Sequence, residues 1–152
     1  MKLTKNFTYE EMCSSNTAAR NGLNNRPKTQ EEEATVKANL KALCTEVLQP
    51  LRDHLKRKVM VSSGYRTEEL NRLVGGATKS QHLVGEAADL RVDNTKHLLK
   101  MMHFIMVETD FDQLIWEKSK SGNQWVHVSH KRDGVNRHQV LNAKMEIMFT
   151  TK

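Results

Sequence analysis

The sequence predicts an α+β fold in which helices pack on a small, mostly antiparallel sheet. The first half of the chain carries helix signals, namely two capping boxes and an apolar repeat at spacings of three and four. The second half carries short runs in which apolar and polar residues alternate, as in half-buried strands. Because no repeat, low-complexity tract or linker interrupts the chain, we expect residues 1–152 to form a single domain.

Two capping boxes open the predicted helices. Thr8 precedes Glu11 at the start of a short helix, and Thr29 precedes Glu32 at the start of a long one. The long helix carries one apolar face, and Pro50 predicts a break or kink near its end. The residues of this apolar face are Val36, Leu40, Leu43, Val47 and Leu51.

The middle of the chain alternates short strands with helices. Residues 59–62 and 87–92 are predicted strands, and Thr67 is expected to cap a helix between them that ends near Gly75. Asn94 then starts a helix whose apolar residues are so dense that we expect most of them to be buried. These are Leu98, Leu99, Met101, Met102, Phe104, Ile105 and Val107.

The C-terminal part of the chain is predicted to form the remaining strands. Residues 112–117 and 124–129 alternate in polarity and are joined by a polar loop, which predicts a hairpin. The tail at residues 139–149 contains a period-two stretch and is expected to add one or two strands.

Composition and charge narrow the classes of protein. The formal net charge of +6 favours anionic partners such as nucleic acid, a membrane surface or a polyanionic cell wall. Aromatic residues make up 5% and do not interleave with basic blocks, so we expect no nucleic-acid binding. Cys13 and Cys44 belong to no Cys-x-x-Cys pair, and we expect both to be buried, reduced thiols.

The chain lacks the signals of membrane insertion and secretion. No stretch approaches the ~18 apolar residues of a spanning helix, so we expect no membrane span. The N-terminus lacks the apolar core of a secretory signal, and we expect the protein to be cytoplasmic when synthesised. We also expect it to be a monomer.

The most informative stretch is residues 80–89, Ser-Gln-His-Leu-Val-Gly-Glu-Ala-Ala-Asp. His82 and Asp89 lie seven residues apart around Gly85, which allows the backbone to turn tightly between them. Imidazole nitrogens and carboxylate oxygens are both good ligands for Zn²⁺. His127, on a strand-like run, is available as a third ligand. Three protein ligands would leave one coordination position for water, as in catalytic zinc sites.

The Ser-x-His-x-x-Gly-x-Ala-x-Asp motif at residues 80–89, followed by Trp-Val-His-Val-Ser at 125–129, resembles the zinc D-alanyl-D-alanine carboxypeptidase family. That family also contains phage and bacterial L-alanyl-D-glutamate endopeptidases that cut peptidoglycan stem peptides. Its fold is similar to the signalling domain of hedgehog proteins, and we expect the same hedgehog-like or DD-peptidase-like fold. The resemblance covers roughly residues 7–142 and includes residues 7–12, 14–25, 61–66 and 111–117.

The resemblance implies a zinc metallopeptidase that hydrolyses peptidoglycan stem peptides and so lyses or remodels the cell wall. It makes His82, Asp89 and His127 the zinc ligands. Arg66 matches the arginine that relatives place near the substrate carboxylate or the developing oxyanion, a role that suits its forked donors. Ser80 is implied to bond to the substrate backbone.

Hydrolysis also requires a general base beside the attacking water. Several relatives carry an acid three residues before the last histidine ligand, where this chain has Gln124. We predict Glu117 as the base instead. If Glu117 pairs with Gln124 or the residue before it, it lies roughly 10 Å from His127 by strand rise. Asp112 and Glu86 are the alternative bases.

Two other functions remain open at this point. A hedgehog-type binding module would keep the zinc without the chemistry, and a structural phage or cell-wall protein would keep only the fold. The motif does not separate a carboxypeptidase from an endopeptidase, because that depends on whether the cleft is closed beyond the metal. Strand alternation places His130 on the face opposite His127 and so outside the site.

Overall fold

The fold is built on a sheet of six strands in the order β1-β2-β4-β3-β5-β6, as seen in a computed structural model that describes residues 1–151. Only β3 and β5 run parallel, and the other neighbouring pairs are antiparallel. The predicted α+β class with a mostly antiparallel sheet is therefore confirmed. The strands are β1 Val61–Ser63, β2 Ala87–Arg91, β3 Gln113–Lys118, β4 Gln124–Ser129, β5 Gln139–Leu141 and β6 Ile147–Thr150.

Four α-helices precede the first strand in the chain, and two more connect the first three strands. They are α1 Tyr9–Cys13, α2 Asn16–Arg20, α3 Gln30–Leu43, α4 Gln49–Leu55, α5 Glu68–Leu73 and α6 Thr95–Glu108. The side chain of Thr8 accepts a hydrogen bond from the backbone N–H of Glu11, and Thr29 does the same for Glu32. Thr67 caps α5 in the same way. These three predicted N-caps are confirmed.

The long helix continues past Pro50 instead of ending there. After α3, the π-helical segment Cys44–Leu48 leads directly into α4, where Pro50 occupies one of the first two positions. Proline lacks a backbone N–H and disturbs an α-helical interior, but it is tolerated in a first turn. The helix ends at Leu55 and is followed by the C-cap residue Lys56, whose backbone is left-handed at φ 55°. The predicted disturbance near Pro50 thus takes the form of a π-turn.

The hydrophobic core lies between the helices and one face of the sheet. The predicted apolar face of the long helix is fully part of it, and every one of its five residues is at most 4% exposed. In α6 the prediction of general burial is wrong for Leu99 and Val107, which are 56% and 57% exposed. An amphipathic helix buries only one stripe. Here that stripe is Leu98, Met101, Met102 and Ile105.

Strand alternation separates a core face of the sheet from a face that carries the polar residues of interest. The core face holds Ala88, Leu90, Leu114, Val126 and Val128. The opposite face lines a cleft with Asp89, Gln113, Ile115, Glu117, Trp125 and His127. The cleft is therefore floored by the three central strands β2, β4 and β3.

The β3–β4 hairpin differs from the prediction in its register. Glu117 pairs with Trp125, not with Gln124 or the residue before it. The loop is closed by a hydrogen bond of 2.8 Å from the Ser119 N–H to the Asn123 carbonyl. This register places Glu117 diagonally across from His127 on the same face of the sheet.

The tail forms two strands, at the upper end of the prediction. β5 adds to β3 in parallel, and β6 pairs with β5 at the edge of the sheet. All four residues of β6 are exposed.

The two cysteines of the chain lie in the interior. Cys13 and Cys44 are both buried, as predicted, and both are free thiols. Burial raises the pKa of Cys44 to about 12, so its thiol stays protonated at neutral pH. None of the helices within residues 1–151 has the length and apolar character that crossing a membrane requires.

Candidate metal centre

Three separate elements bring the predicted zinc ligands together. His82 lies in the 3₁₀ turn Gln81–Val84, Asp89 lies on β2, and His127 lies on β4 directly opposite Asp89. One potential ligand atom from each residue lies within 4.8 Å of the other two. All three residues are buried. We refer to His82, Asp89 and His127 as the His-Asp-His cluster.

The orientation of His82 is fixed by the main chain. Its Nδ1 lies 2.6 Å from the carbonyl oxygen of Gly64, and since a carbonyl only accepts, Nδ1 carries the proton. Burial lowers the pKa of His82, although Asp89 opposes this shift, and the imidazole is therefore neutral. Its Nε2 is then a buried acceptor with no hydrogen-bond partner, 3.3 Å from Asp89 Oδ1. This donation of one ring nitrogen to a carbonyl is the usual second contact of metal-binding histidines.

Asp89 is held in its ionised form. Burial opposes ionisation, but the adjacent His127, whose Nδ1 is hydrogen-bonded to the carboxylate, helps to hold the pKa of Asp89 well below its usual range. The Nδ1 of His127 lies 2.9 Å from Asp89 Oδ1, so this nitrogen faces the cluster. Metal binding displaces protons from such ligands. The cluster thus offers one carboxylate oxygen and two imidazole nitrogens.

Arg66 is bonded to Asp89 and is not free in the cleft. Its Nη2 donates to Asp89 Oδ2 at 3.1 Å, its Nε to Ser63 Oγ at 3.0 Å and its Nη1 to Asn71 Oδ1 at 3.1 Å. Its side chain is 13% exposed. Arg66 therefore holds Asp89 by one oxygen while the other faces the histidines. A guanidinium has five N–H donors, so two of them are left over, and a contact with substrate stays a prediction.

Ser80 and Gly85 shape the turn that carries His82. Ser80 Oγ accepts a hydrogen bond from the His82 backbone N–H at 3.2 Å and so caps the 3₁₀ turn. Gly85 ends the turn with φ 79°, the left-handed conformation that its predicted role requires. Ser80 also lines the cleft, and its predicted contact with the substrate backbone stays a prediction.

Gly64 offers a way to disturb His82 without touching the cluster. A Cβ at this position would lie 2.3 Å from the Met12 carbonyl oxygen, so the backbone would have to move. Because the Gly64 carbonyl orients His82, we expect Gly64→Ala to lower the melting temperature and to weaken zinc binding by roughly 10–100-fold. Thermal denaturation and competition with a chromophoric chelator measure the two effects.

The matched control is Gly122→Ala in the hairpin loop. Gly122 is left-handed at φ 95°, unlike Gly64, and a Cβ there meets no atom within 4 Å. We expect this variant to lose some stability and to keep wild-type zinc affinity. Equal zinc affinity in Gly64→Ala and wild type would contradict a role for the Gly64 carbonyl.

Glu117 is the acidic residue closest to the cluster. Its Oε1 lies 3.9 Å from His127 Nδ1, much closer than the roughly 10 Å expected from the strand rise and the predicted register. That expectation is wrong because Glu117 pairs with Trp125. Burial raises the pKa of Glu117, an effect that Asp89 reinforces and His127 opposes. A carboxylate with a raised pKa is suited to exchange protons with a reacting group.

The alternative bases are engaged elsewhere. Asp112 is fully buried and accepts hydrogen bonds from the backbone N–H, Nε and Nη2 of Arg137. Glu86 accepts a hydrogen bond from Gln81 Nε2 and does not belong to the residues that line the cleft. Of the three candidate bases, only Glu117 lines the cleft.

Two other residues considered from the sequence lie away from the cluster. Gln124 accepts a hydrogen bond from the Trp116 indole N–H at 2.8 Å and donates to Thr95. His130 is buried with its Nδ1 2.7 Å from the Asp110 carbonyl oxygen. The acid position of some relatives is thus a structural glutamine here.

The cleft above the cluster has a volume of about 710 Å³. All six predicted site residues line it. Sequence reasoning missed Lys79, Gln113 and Arg137, which also line it. No local motif marks these three, and Arg137 reaches the cleft only because β5 pairs with β3 across a long sequence separation.

A model of a protein family described as Peptidase M15 matches residues 5–129, well over half of the chain. The matched range contains all six predicted site residues and ends at the last residue of β4. No curated protein matches the sequence.

Proposed function

Since the chain belongs to the peptidase M15 family, we propose that it is a zinc-dependent peptidase that hydrolyses peptidoglycan stem peptides. The observation that carries this proposal is the buried Nε2 of His82, which faces the Asp89 carboxylate across 3.3 Å without a proton to share. A lone pair and an anionic oxygen at that distance repel each other unless a cation lies beside both. The donor set of two imidazoles and one carboxylate is of the kind that catalytic zinc sites use.

The cluster would hold the ion through His82 Nε2, Asp89 Oδ1 and His127 Nδ1, the atoms that face one another in the structure. When bound, zinc polarises a scissile carbonyl and lowers the pKa of a coordinated water. Arg66 holds Asp89 in place, and its two remaining N–H groups can donate to the carbonyl oxygen as negative charge develops there.

Glu117 would move the proton. Its carboxylate is 31% exposed and lies within 3.9 Å of His127, so it faces both the cluster and the cleft. In its ionised form it accepts a proton from the attacking water and then gives that proton to the nitrogen of the leaving amine. Its raised pKa favours the first of these transfers, because a carboxylate with a higher pKa is the stronger base.

The positive charge of the chain and of its cleft supports peptidoglycan as the substrate. The net charge of +6 favours an anionic polymer, and Arg66, Lys79 and Arg137 add cations to the cleft. We propose that the protein acts on the cell wall, where it cleaves either the D-Ala-D-Ala or the L-Ala-D-Glu bond. A non-catalytic module with the same zinc site is the competing function.

Digestion of purified peptidoglycan tests this proposal directly. The zinc-loaded protein is incubated with sacculi, and new peptide termini are identified by mass spectrometry. We expect termini at one of the two bonds, and none with the His82→Ala variant. The site of the cut distinguishes carboxypeptidase from endopeptidase. A zinc-loaded protein that releases no new termini would contradict the proposal.

A further inference from the structure

Arg137 is a second arginine in the cleft, and it has more unused donors than Arg66. Its Nε and Nη2 donate to the two oxygens of Asp112 at 2.9 and 2.8 Å. Within residues 1–151 its Nη1 donates to no protein acceptor, and its side chain is 41% exposed against 13% for Arg66. One edge of the guanidinium is thus anchored, and the edge formed by Nη1 and Nη2 is open.

Asp112 makes this anchor rigid. It is fully buried, which opposes its ionisation, but the hydrogen bonds from Arg137 hold its pKa below the usual range. Lys131 Nζ lies 3.8 Å from the same carboxylate, so one anion serves two cations. The Gln81 amide donates to Asp112 and to Glu86, a second carboxylate that attracts Arg137 at longer range. A buried, fully bonded carboxylate fixes the guanidinium before any ligand arrives.

Arg137 lies at one end of the cleft floor, beyond the His-Asp-His cluster. Ile115 pairs directly with His127, and Gln113 follows on the same strand face. By strand rise Gln113 is about 7 Å from Ile115, the span of two residues in an extended peptide. The Arg137 backbone N–H is bonded to Asp112, next to Gln113. A peptide that extends along β3 from the cluster therefore runs towards the part of the cleft that Arg137 lines.

We propose that Arg137 is a specificity-determining residue that binds a free carboxylate of the peptide substrate, an inference that rests on the proposed function. The open edge can donate two charge-assisted hydrogen bonds, and little entropy is lost because the side chain is already fixed. A stem peptide offers two such carboxylates: the α-carboxylate of a γ-linked D-glutamate and the C-terminal carboxylate of D-alanine.

Three synthetic peptides test this inference: L-Ala-γ-D-Glu-L-Lys-D-Ala-D-Ala, its D-glutamate α-amide and its C-terminal amide. An amide keeps the shape of the carboxylate and removes its charge. For the wild-type protein we expect kcat/KM to fall roughly 10–100-fold with one of the two amides, which identifies the bound carboxylate. In Arg137→Gln the ratio between that amide and the parent peptide should approach one, and Arg137→Lys should restore part of the preference.

Arg132→Gln is the matched control. Arg132 has the same 41% exposure and faces a carboxylate, Asp133, at 3.5 Å, but it does not line the cleft. It should keep the wild-type preference. Melting curves and zinc content accompany each variant, since Arg137→Gln leaves Asp112 less well bonded.

The outcomes separate this inference from the proposed function. If the wild-type protein cleaves all three peptides equally well, or Arg137→Gln keeps the preference, the inference is overturned while the peptidase function stands. The first of these results does not depend on any variant folding. If the zinc-loaded protein cleaves none of the peptides or the sacculi, the proposed function fails, and the inference with it.

Discussion

The His82→Ala variant is expected to contain no zinc after dialysis and to lose peptidase activity by about 1,000-fold or more. The substitution removes Nε2, the one cluster atom that is buried without a hydrogen-bond partner. Only two of the three metal ligands remain, so we expect the zinc to be lost. The several kcal/mol by which a metal ion stabilises charge in the transition state are then lost as well, and each 1.4 kcal/mol corresponds to a tenfold change in rate. Elemental analysis gives the zinc content, which should be about one ion per wild-type chain, and release of peptide from sacculi gives the activity.

The control for this experiment is His54→Ala. His54 is an exposed histidine that stacks on Phe104 at a ring distance of 4.5 Å and does not line the cleft. It should keep both zinc and activity, which excludes a general effect of losing a histidine. Metal-free wild-type protein with full activity, or His82→Ala with a full complement of zinc, would refute the metal mechanism.

The His-Asp-His cluster was predictable because each part of it depends on local rules. The turn at Gly85 needs a left-handed residue, and a glycine stands there with φ 79°. Alternation along β2 and β4 decides which face carries Asp89 and His127, and the two residues turn out to be direct cross-strand partners. Asp89 and His127 then come together as soon as these two strands are neighbours in the sheet.

The position of Glu117 was not predictable, because it depends on the register of a hairpin. Pairing with Asn123 would keep Glu117 on the face of His127 but move it two residues further away, and pairing with Gln124 would turn it to the opposite face. The observed partner is Trp125. The loop that sets this register is closed by Ser119 and Asn123, and no Asn-Gly or Asp-Gly pair marks its turn type in the sequence.

The position of Arg137 in the cleft and the continuation of the long helix past Pro50 were not predicted, for different reasons. Arg137 joins the cleft through a parallel pairing of β5 with β3, which has no signature in the local pattern. Pro50 predicted a disturbance correctly, but a π-helical segment absorbed it and the helix continued to Leu55. In both cases tertiary contacts decided between alternatives that the local sequence left open.

The Glu117→Gln variant is expected to keep its zinc and to lose roughly 10²–10⁴-fold in kcat, the usual contribution of a general base. Glutamine preserves the size of the side chain and cannot accept a proton. Because the three cluster atoms are untouched, zinc content and KM should stay close to wild type. A non-catalytic module would lose little in the same experiment, so this variant separates the two functions that share the site.

Glu86→Gln is the matched control, because Glu86 is an alternative base that does not line the cleft and its substitution is chemically identical. The loss of kcat in Glu86→Gln should be at least about tenfold smaller than the loss in Glu117→Gln. If the two variants lose activity equally, the short distance between Glu117 and His127 does not identify Glu117 as the general base. If Glu117→Gln loses zinc, its carboxylate is a ligand and not a base, since Oε1 already lies 3.9 Å from His127 Nδ1. Activity and zinc content together therefore assign the role of Glu117.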